Sequence, residues 1–169
     1  MGIPKKLKNL NAHVDGTGYL GEVAEFEQPA LAIATEDYRG GGMLGPVKID
    51  MGLEGMEAKM KMGGHVVALI RKFGTTRVDG VRVRLTGAYQ ADDGTPAQAV
   101  ECYIGGRFSE IGFGTSKAGD DTEEEFTIPL SYYRREVNGR VEVEIDMIAG
   151  RFLVDGVDRY AEIMAIIAN

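Results

Sequence analysis

The sequence predicts a mainly β fold, a small sandwich or barrel carrying one or two short helices, and three observations lead there. Glycine is abundant, with 24 residues against five prolines and no tryptophan, as in proteins built from short strands and many turns. Apolar and polar residues alternate with a period of two in several segments, the pattern of a strand with one buried face. Asn138-Gly139 lies between two such segments, which is the strongest short-range hairpin signal. A chain of 169 residues without internal repeats or low-complexity tracts fits one domain spanning 1–169.

The elements follow in order. Leu7 to Val14 and Tyr19 to Phe26 flank the turn Asp15-Gly16-Thr17-Gly18 and read as a hairpin. Ala30 to Thr35 is a third strand, opened by Pro29. In the segment that follows, Gly40, Gly41, Gly42, Gly45, Gly52 and Gly55 oppose a helix, so an extended loop or loose hairpin is expected. Within Met56 to Met62, Ala58, Met60 and Met62 alternate with Glu57, Lys59 and Lys61, which gives a half-buried strand. His65 to Phe73 has the apolar spacing of a short helix stopped by Gly74.

Val81 to Gln90 alternates again. It pairs through the turn at Ala91 to Thr95 with Pro96 to Phe108, where Gly105 and Gly106 suggest a bulge. Phe126 to Val137 and Val141 to Met147 are the two arms of the Asn138-Gly139 hairpin. Phe152 to Val154 gives a last short strand, and Val157 to Ile167 a terminal helix capped near Asp155 or Asp158.

Composition excludes several functions. A net charge of −7 opposes broad phosphate binding and suits a surface that nucleic acid slides past without being held. One cysteine, Cys102, excludes an intramolecular disulfide and a cysteine-rich metal site, and a small buried strand residue is the expected role. Two histidines are too few for a clustered metal site, so no metal or cofactor is expected. Gly16-Thr17-Gly18-Tyr19-Leu20-Gly21 matches a dinucleotide fingerprint, with Asp37 near the ribose-binding distance. No helix follows it before Pro29, and a hairpin turn is the better reading. The acidic stretch Asp120 to Glu125 reads as a solvated turn, or as a surface facing a lumen or a neighbour's arginines. No acid, base and nucleophile set converges, so the chain is not expected to be an enzyme. The N-terminus lacks the apolar stretch of a secretory signal, Lys6 breaks a myristoylation pattern, and no apolar run suits a membrane anchor.

Five of eight methionines lie between Met43 and Met62, and Met43, Leu44, Ile49, Met51, Leu53 and Met56 need burial that a glycine-rich loop does not supply. A neighbouring subunit would supply it. Core filling is the competing role.

The chain resembles the major tail tube proteins of contractile, P2-like phages and of phage-tail-like bacteriocins. The likeness runs nearly end to end, through Glu36 to Met43, Ile49 to Glu54 and Met56 to Lys59. It continues through Gly87 to Gln90, Gly106-Arg107 with Glu110-Ile111, Lys117 to Gly119, Tyr132-Tyr133, Asn138-Gly139, Val143 to Asp146 and Val154 to Arg159. Glu110 to Ser116 and the end of the chain are less typical. The resemblance implies a subunit that forms six-membered rings with a continuous inner β-barrel, stacked as a hollow tube inside a contractile sheath and driven through a cell envelope. Its partners would be further copies of the chain, the tail sheath protein, and baseplate and tail terminator proteins, with DNA passing through the lumen without specific binding. Its place would be the tail of a virion or a tail-like particle, assembled in the bacterial host cytoplasm. Tyr38 to Met62 occupies the place of the assembly loop, with Tyr38 to about Gly55 as the reaching part. Tyr38, Arg39, Gly40, Gly41, Gly42, Met43, Leu44, Ile49, Met51, Leu53 and Met56 are its expected contacts between subunits. A secretion-system tube protein is one alternative, and a monomeric ligand-binding β-barrel is a more distant one.

Overall fold

A computed structural model describes residues 2–169. The chain begins with β1 (Lys6–Val14), β2 (Thr17–Gly18), β3 (Val23–Glu27), β4 (Ile33–Tyr38), β5 (Val47–Leu53) and β6 (Met56–Met62). The single turn α1 (Val67–Ile70) precedes β7 (Val81–Gln90), β8 (Gln98–Gly106), β9 (Glu110–Gly112) and the long β10 (Glu124–Val137). β11 (Arg140–Asp146), β12 (Arg151–Val154), β13 (Val157–Asp158) and α2 (Ala161–Ile167) complete it. The fold is therefore mainly β and antiparallel, as the alternation predicts.

Two layers share one strand. The larger runs β13-β12-β11-β10-β8-β7-β1-β2, while β6 pairs with both β3 and the first half of β10, and β9 adds to that same half. β10 passes from one layer to the other at a bulge. Leu130 faces Gly106 and Tyr132 faces Gly105, so Ser131 has no partner of its own in that register, and its carbonyl instead accepts the Met147 N–H at 2.9 Å. The irregularity expected at Gly105 and Gly106 thus lies on the strand opposite them. A Cβ on Gly106 would stand 2.4 Å from the Pro129 carbonyl oxygen, so only glycine admits this close crossing.

The core fills the space between the layers. Ala58, Met60 and Met62 from β6 are fully buried, as are Phe126 and Ile128 from β10, and the rings of Phe108 and Phe126 sit 4.9 Å apart in a tilted pair. Cys102 is 1% exposed on the core side of β8, where burial pushes its thiol pKa up, as an inert strand residue requires.

Three hairpins turn on the same chemistry. Asp15-Gly16, Asn138-Gly139 and Asp155-Gly156 all carry two successive positive φ values, the mark of type I′ turns whose twist suits antiparallel strands. The third turn divides the expected helix at Val157, so that β13 comes first and α2 starts only after Tyr160. The expected cap is not formed: Tyr160 holds the N-cap position, no side chain caps α2, and the Asp158 carboxylate accepts the Tyr160 N–H at 3.0 Å.

Other expectations are corrected. Only Thr17-Gly18 returns along β1, because Gly21 at φ 86° redirects the chain and β3 then pairs with β6 in the other layer. The helix expected over His65 to Phe73 is one turn. The third strand starts at Ile33 and continues to Tyr38, since it pairs with β5 up to that residue. β9 is a strand that the sequence pattern did not reveal.

Candidate functional site

β4 and β5 form a two-stranded hairpin apart from the main sheet. Opposite residues in an antiparallel pair share a face, and successive residues alternate between faces. Asp37 faces Lys48 and Thr35 faces Asp50, which makes one face polar and closes an ion pair of 3.0 Å between Lys48 and Asp37. Tyr38 faces Val47 and Glu36 faces Ile49 on the other side, and Met51 follows Ile49 in the alternation. This apolar face is uncovered: Tyr38 is 59% exposed, Val47 45%, Ile49 44% and Met51 60%.

At the tip the chain turns through Arg39 and the three glycines. Gly42 has φ 84°, and the Gly40 N–H donates to Met43 Sδ at 3.0 Å, which folds Met43 back and leaves it half-buried. Leu44 is fully exposed beside it. At the root Leu53 is half-buried opposite Ile33, and the Glu54 N–H donates to the Ala32 carbonyl at 2.9 Å.

The expected contact residues therefore separate into three groups. Tyr38, Arg39, Leu44, Ile49 and Met51 are exposed along the arm, as are Gly41 and Gly42. Gly40, Met43 and Leu53 serve the arm's own conformation. Met56 is a correction: it faces Leu130, is 4% exposed and belongs to the core of its own chain, so it has no side chain to offer a neighbour. Core filling is also the role of Met60 and Met62.

The larger sheet has a polar face opposite the core. His13, Arg84, Tyr103, Arg134 and Glu144 stand in one row across five strands. The first four border a concavity of about 810 Å³ that Arg82 and Asp146 also line. Two of its arginines are engaged by neighbouring side chains. Arg84 donates to Glu101 at 2.5 Å, the Tyr103 hydroxyl donates to the same carboxylate at 2.8 Å, and Arg134 lies 4.2 Å over the Tyr103 ring. The hydrogen bond from Arg84 holds the Glu101 carboxyl below its ordinary pKa, and accepting from Tyr103 in turn raises that phenol.

The edges of this sheet are only partly covered. β2 pairs with His13 and Val14 alone, so among the described residues no strand lies along the outer edge of β1 from Lys6 to Ala12. At the other end β13 pairs only with Leu153 and Val154.

The turn reading of Gly16 to Gly21 holds, and one acidic residue changes character. Gly16 to Gly21 lies in a turn and β2 with no helix after it, so it builds no dinucleotide cradle. Glu124, expected in a solvated turn, is 2% exposed: one oxygen lies 2.6 Å from His65 Nδ1 and the other accepts the Val66 N–H at 3.2 Å. Among the described residues, no group of three or more His, Cys, Asp or Glu side chains is placed to hold a metal ion.

Comparison with known proteins gives a consistent set. A family model described as phage tail tube protein FII matches residues 4–167. The tail tube protein of Escherichia phage P2 is 37% identical over 162 residues, which cover 94% of each chain. The major tail tube protein of Serratia phage KSP20 is 37% identical over 164 residues, 96% of this chain and 94% of that one. The sheath/tube terminator of a PVC extracellular contractile injection system superposes with a TM-score of 0.60 at 12% identity, over 80% of this chain and 98% of that one. A chain of the sheath-tube complex of such a system gives 0.59 at 13% identity, over 79% and 91%. At such low identity the structural likeness speaks for the fold.

Proposed function

The chain belongs to the phage tail tube protein FII family and is a structural tail tube subunit, and from that premise we propose that copies join edge to edge into six-membered rings. The rings stack as a hollow tube within a contractile sheath, closed by a terminator and seated on a baseplate. No catalysis is involved.

The observation that carries this reading is the arm. A lone two-stranded hairpin is marginal in water, and this one leaves its whole apolar face uncovered, which a subunit of an assembly corrects on docking. The partly covered edges at β1 and β12 support ring closure, because pairing them between neighbours continues the sheet and removes its edges. On this reading the concave polar face turns inward. Two of its three arginines, Arg84 and Arg134, are already engaged by Glu101, Tyr103 and Glu136, so the wall presents few free cations to a passing phosphate backbone, and DNA slides without being gripped.

The purified chain tests this directly. Electron microscopy of the wild type is expected to show stacked rings, and deletion of Gly40 to Met51 to leave a soluble folded subunit without tubes. Normal tubes from the deletion overturn the arm's role. The 37% identity to phage tail tube proteins favours a phage tail or tail-like particle, assembled in a bacterial host, over a secretion-system tube.

A further inference from the structure

We propose that the isoleucine face of α2 is the surface on which the apolar face of the β4–β5 arm from a second copy of this chain lies. The inference rests on the tube-subunit reading above and adds to it the receiving surface.

α2 is seven residues long, and none of them is buried. Helical spacing brings Ile163, Ile166 and Ile167 to one side, where they are 46%, 71% and 66% exposed. Met164 ties the helix to the rest of the chain, its Sδ lying 2.6 Å from the position a Cβ would take on Gly150. Two residues before that glycine, Ile148 is 70% exposed. A helix this short has little stability of its own in water, so three exposed isoleucines on it call for a cover from outside.

The arm supplies a matching surface. Its largely apolar face carries Tyr38, Val47, Ile49 and Met51 with Glu36 as its one carboxylate, its charged pair Asp37–Lys48 points the other way, and a helix on a two-stranded ribbon is an ordinary layer packing. In its own chain the arm does not cover α2, since both faces remain open. A second copy is then the occupant that the chemistry and the assembly both select. The two patches are different surfaces of one chain, so the contact is heterologous: each copy that receives an arm still offers its own, and the contact passes from copy to copy. A seven-residue strand reaches about 23 Å. A groove of about 210 Å³ opens beside the start of α2, where Ile33, Leu53, Met147 and Phe152 line it together with the charged Asp50, Asp146 and Arg151, and it extends the receiving surface.

The experiment places p-benzoylphenylalanine at Ile166, co-assembles that variant with isotope-labelled wild type, irradiates the tubes and maps the joined peptides. A peptide from residues 38–53 of a labelled copy is the expected result. Joined peptides from elsewhere, from the same copy, or none at all overturn the contact. The double variant Ile163→Glu/Ile166→Glu is expected to keep the wild-type circular dichroism and melting temperature and to form no tubes. Normal tubes overturn the proposal, and so does loss of folding, which would place these side chains in the subunit's own core. A wild-type chain that forms no tubes removes the tube reading and this contact together, whereas tubes cross-linked elsewhere remove this contact alone.

Discussion

Tyr38 and Val47 stand opposite each other across the two strands of the arm, on the face that also carries Ile49 and Met51, and nothing in their own chain covers them. Substituting Val47→Glu and Ile49→Glu therefore removes only contacts made within the arm, not core packing. Each change is expected to alter folding stability by no more than about 0.5 kcal/mol. Assembly is expected to fail, because two carboxylates would be buried against an apolar partner. Urea midpoints and negative-stain images of the same preparation check both halves, and a large fall in midpoint contradicts the placement of these side chains.

The methionines provide a contrast within one chain. Met60 is fully buried between the layers, so Met60→Ala leaves a cavity and is expected to cost about 2–5 kcal/mol. Met51 lies on the open face of the arm, and Met51→Ala is expected to cost less than about 0.5 kcal/mol while weakening tube formation. Equal losses of folding stability from the two variants contradict the division.

Sequence legibility divides along the same line as local and long-range structure. The β10–β11 hairpin is readable because Asn138-Gly139 contains its own turn chemistry and both strands alternate around it. β5 is also readable in principle: Val47, Ile49 and Met51 alternate with Lys48, Asp50 and Gly52, but the surrounding glycines mask a strand of seven residues. Asp155-Gly156 is the same turn signal as Asn138-Gly139, obscured by the helical spacing that follows it. What no local pattern contains is pairing across distance. β3 goes to β6 rather than to β1, and Glu124 is buried by the Val66 N–H from 58 residues away. The isoleucines of α2 mark a further limit, since an apolar helix face has the same spacing whether it meets its own core or another chain.

Gly106 marks the crossing where β10 leaves one layer for the other. A Cβ there meets the Pro129 carbonyl oxygen at 2.4 Å and Ile128 Cγ2 at 2.9 Å, and the first of these is backbone that cannot rotate away. Gly106→Ala is expected to destabilise by about 1–3 kcal/mol or more through overpacking. Gly64, where a Cβ meets nothing within 4 Å, is the control, and Gly64→Ala is expected to leave the urea midpoint nearly unchanged. Equal midpoints for the two variants count against the close crossing.

Tyr133 gives the subunit a stability step at alkaline pH. Its ring is 2% exposed, its hydroxyl lies 3.8 Å from Cys102 Sγ, and burial pushes the phenol pKa up to about 12. An unfolded tyrosine titrates near 10. Below that value both states hold the proton and its contribution is complete. As pH rises from about 10 to about 12 the unfolded chain releases the proton while the folded chain retains it, so stability falls through this window, by about 3 kcal/mol in all. Tyr133→Phe has no proton to release there. The difference between wild type and Tyr133→Phe in urea-unfolding free energy is therefore expected to change by most of that amount between about pH 9 and about pH 12. In the folded proteins, the phenolate absorbance that Tyr133→Phe lacks should appear only as pH approaches about 12. A pH-independent difference between the two proteins contradicts the buried phenol.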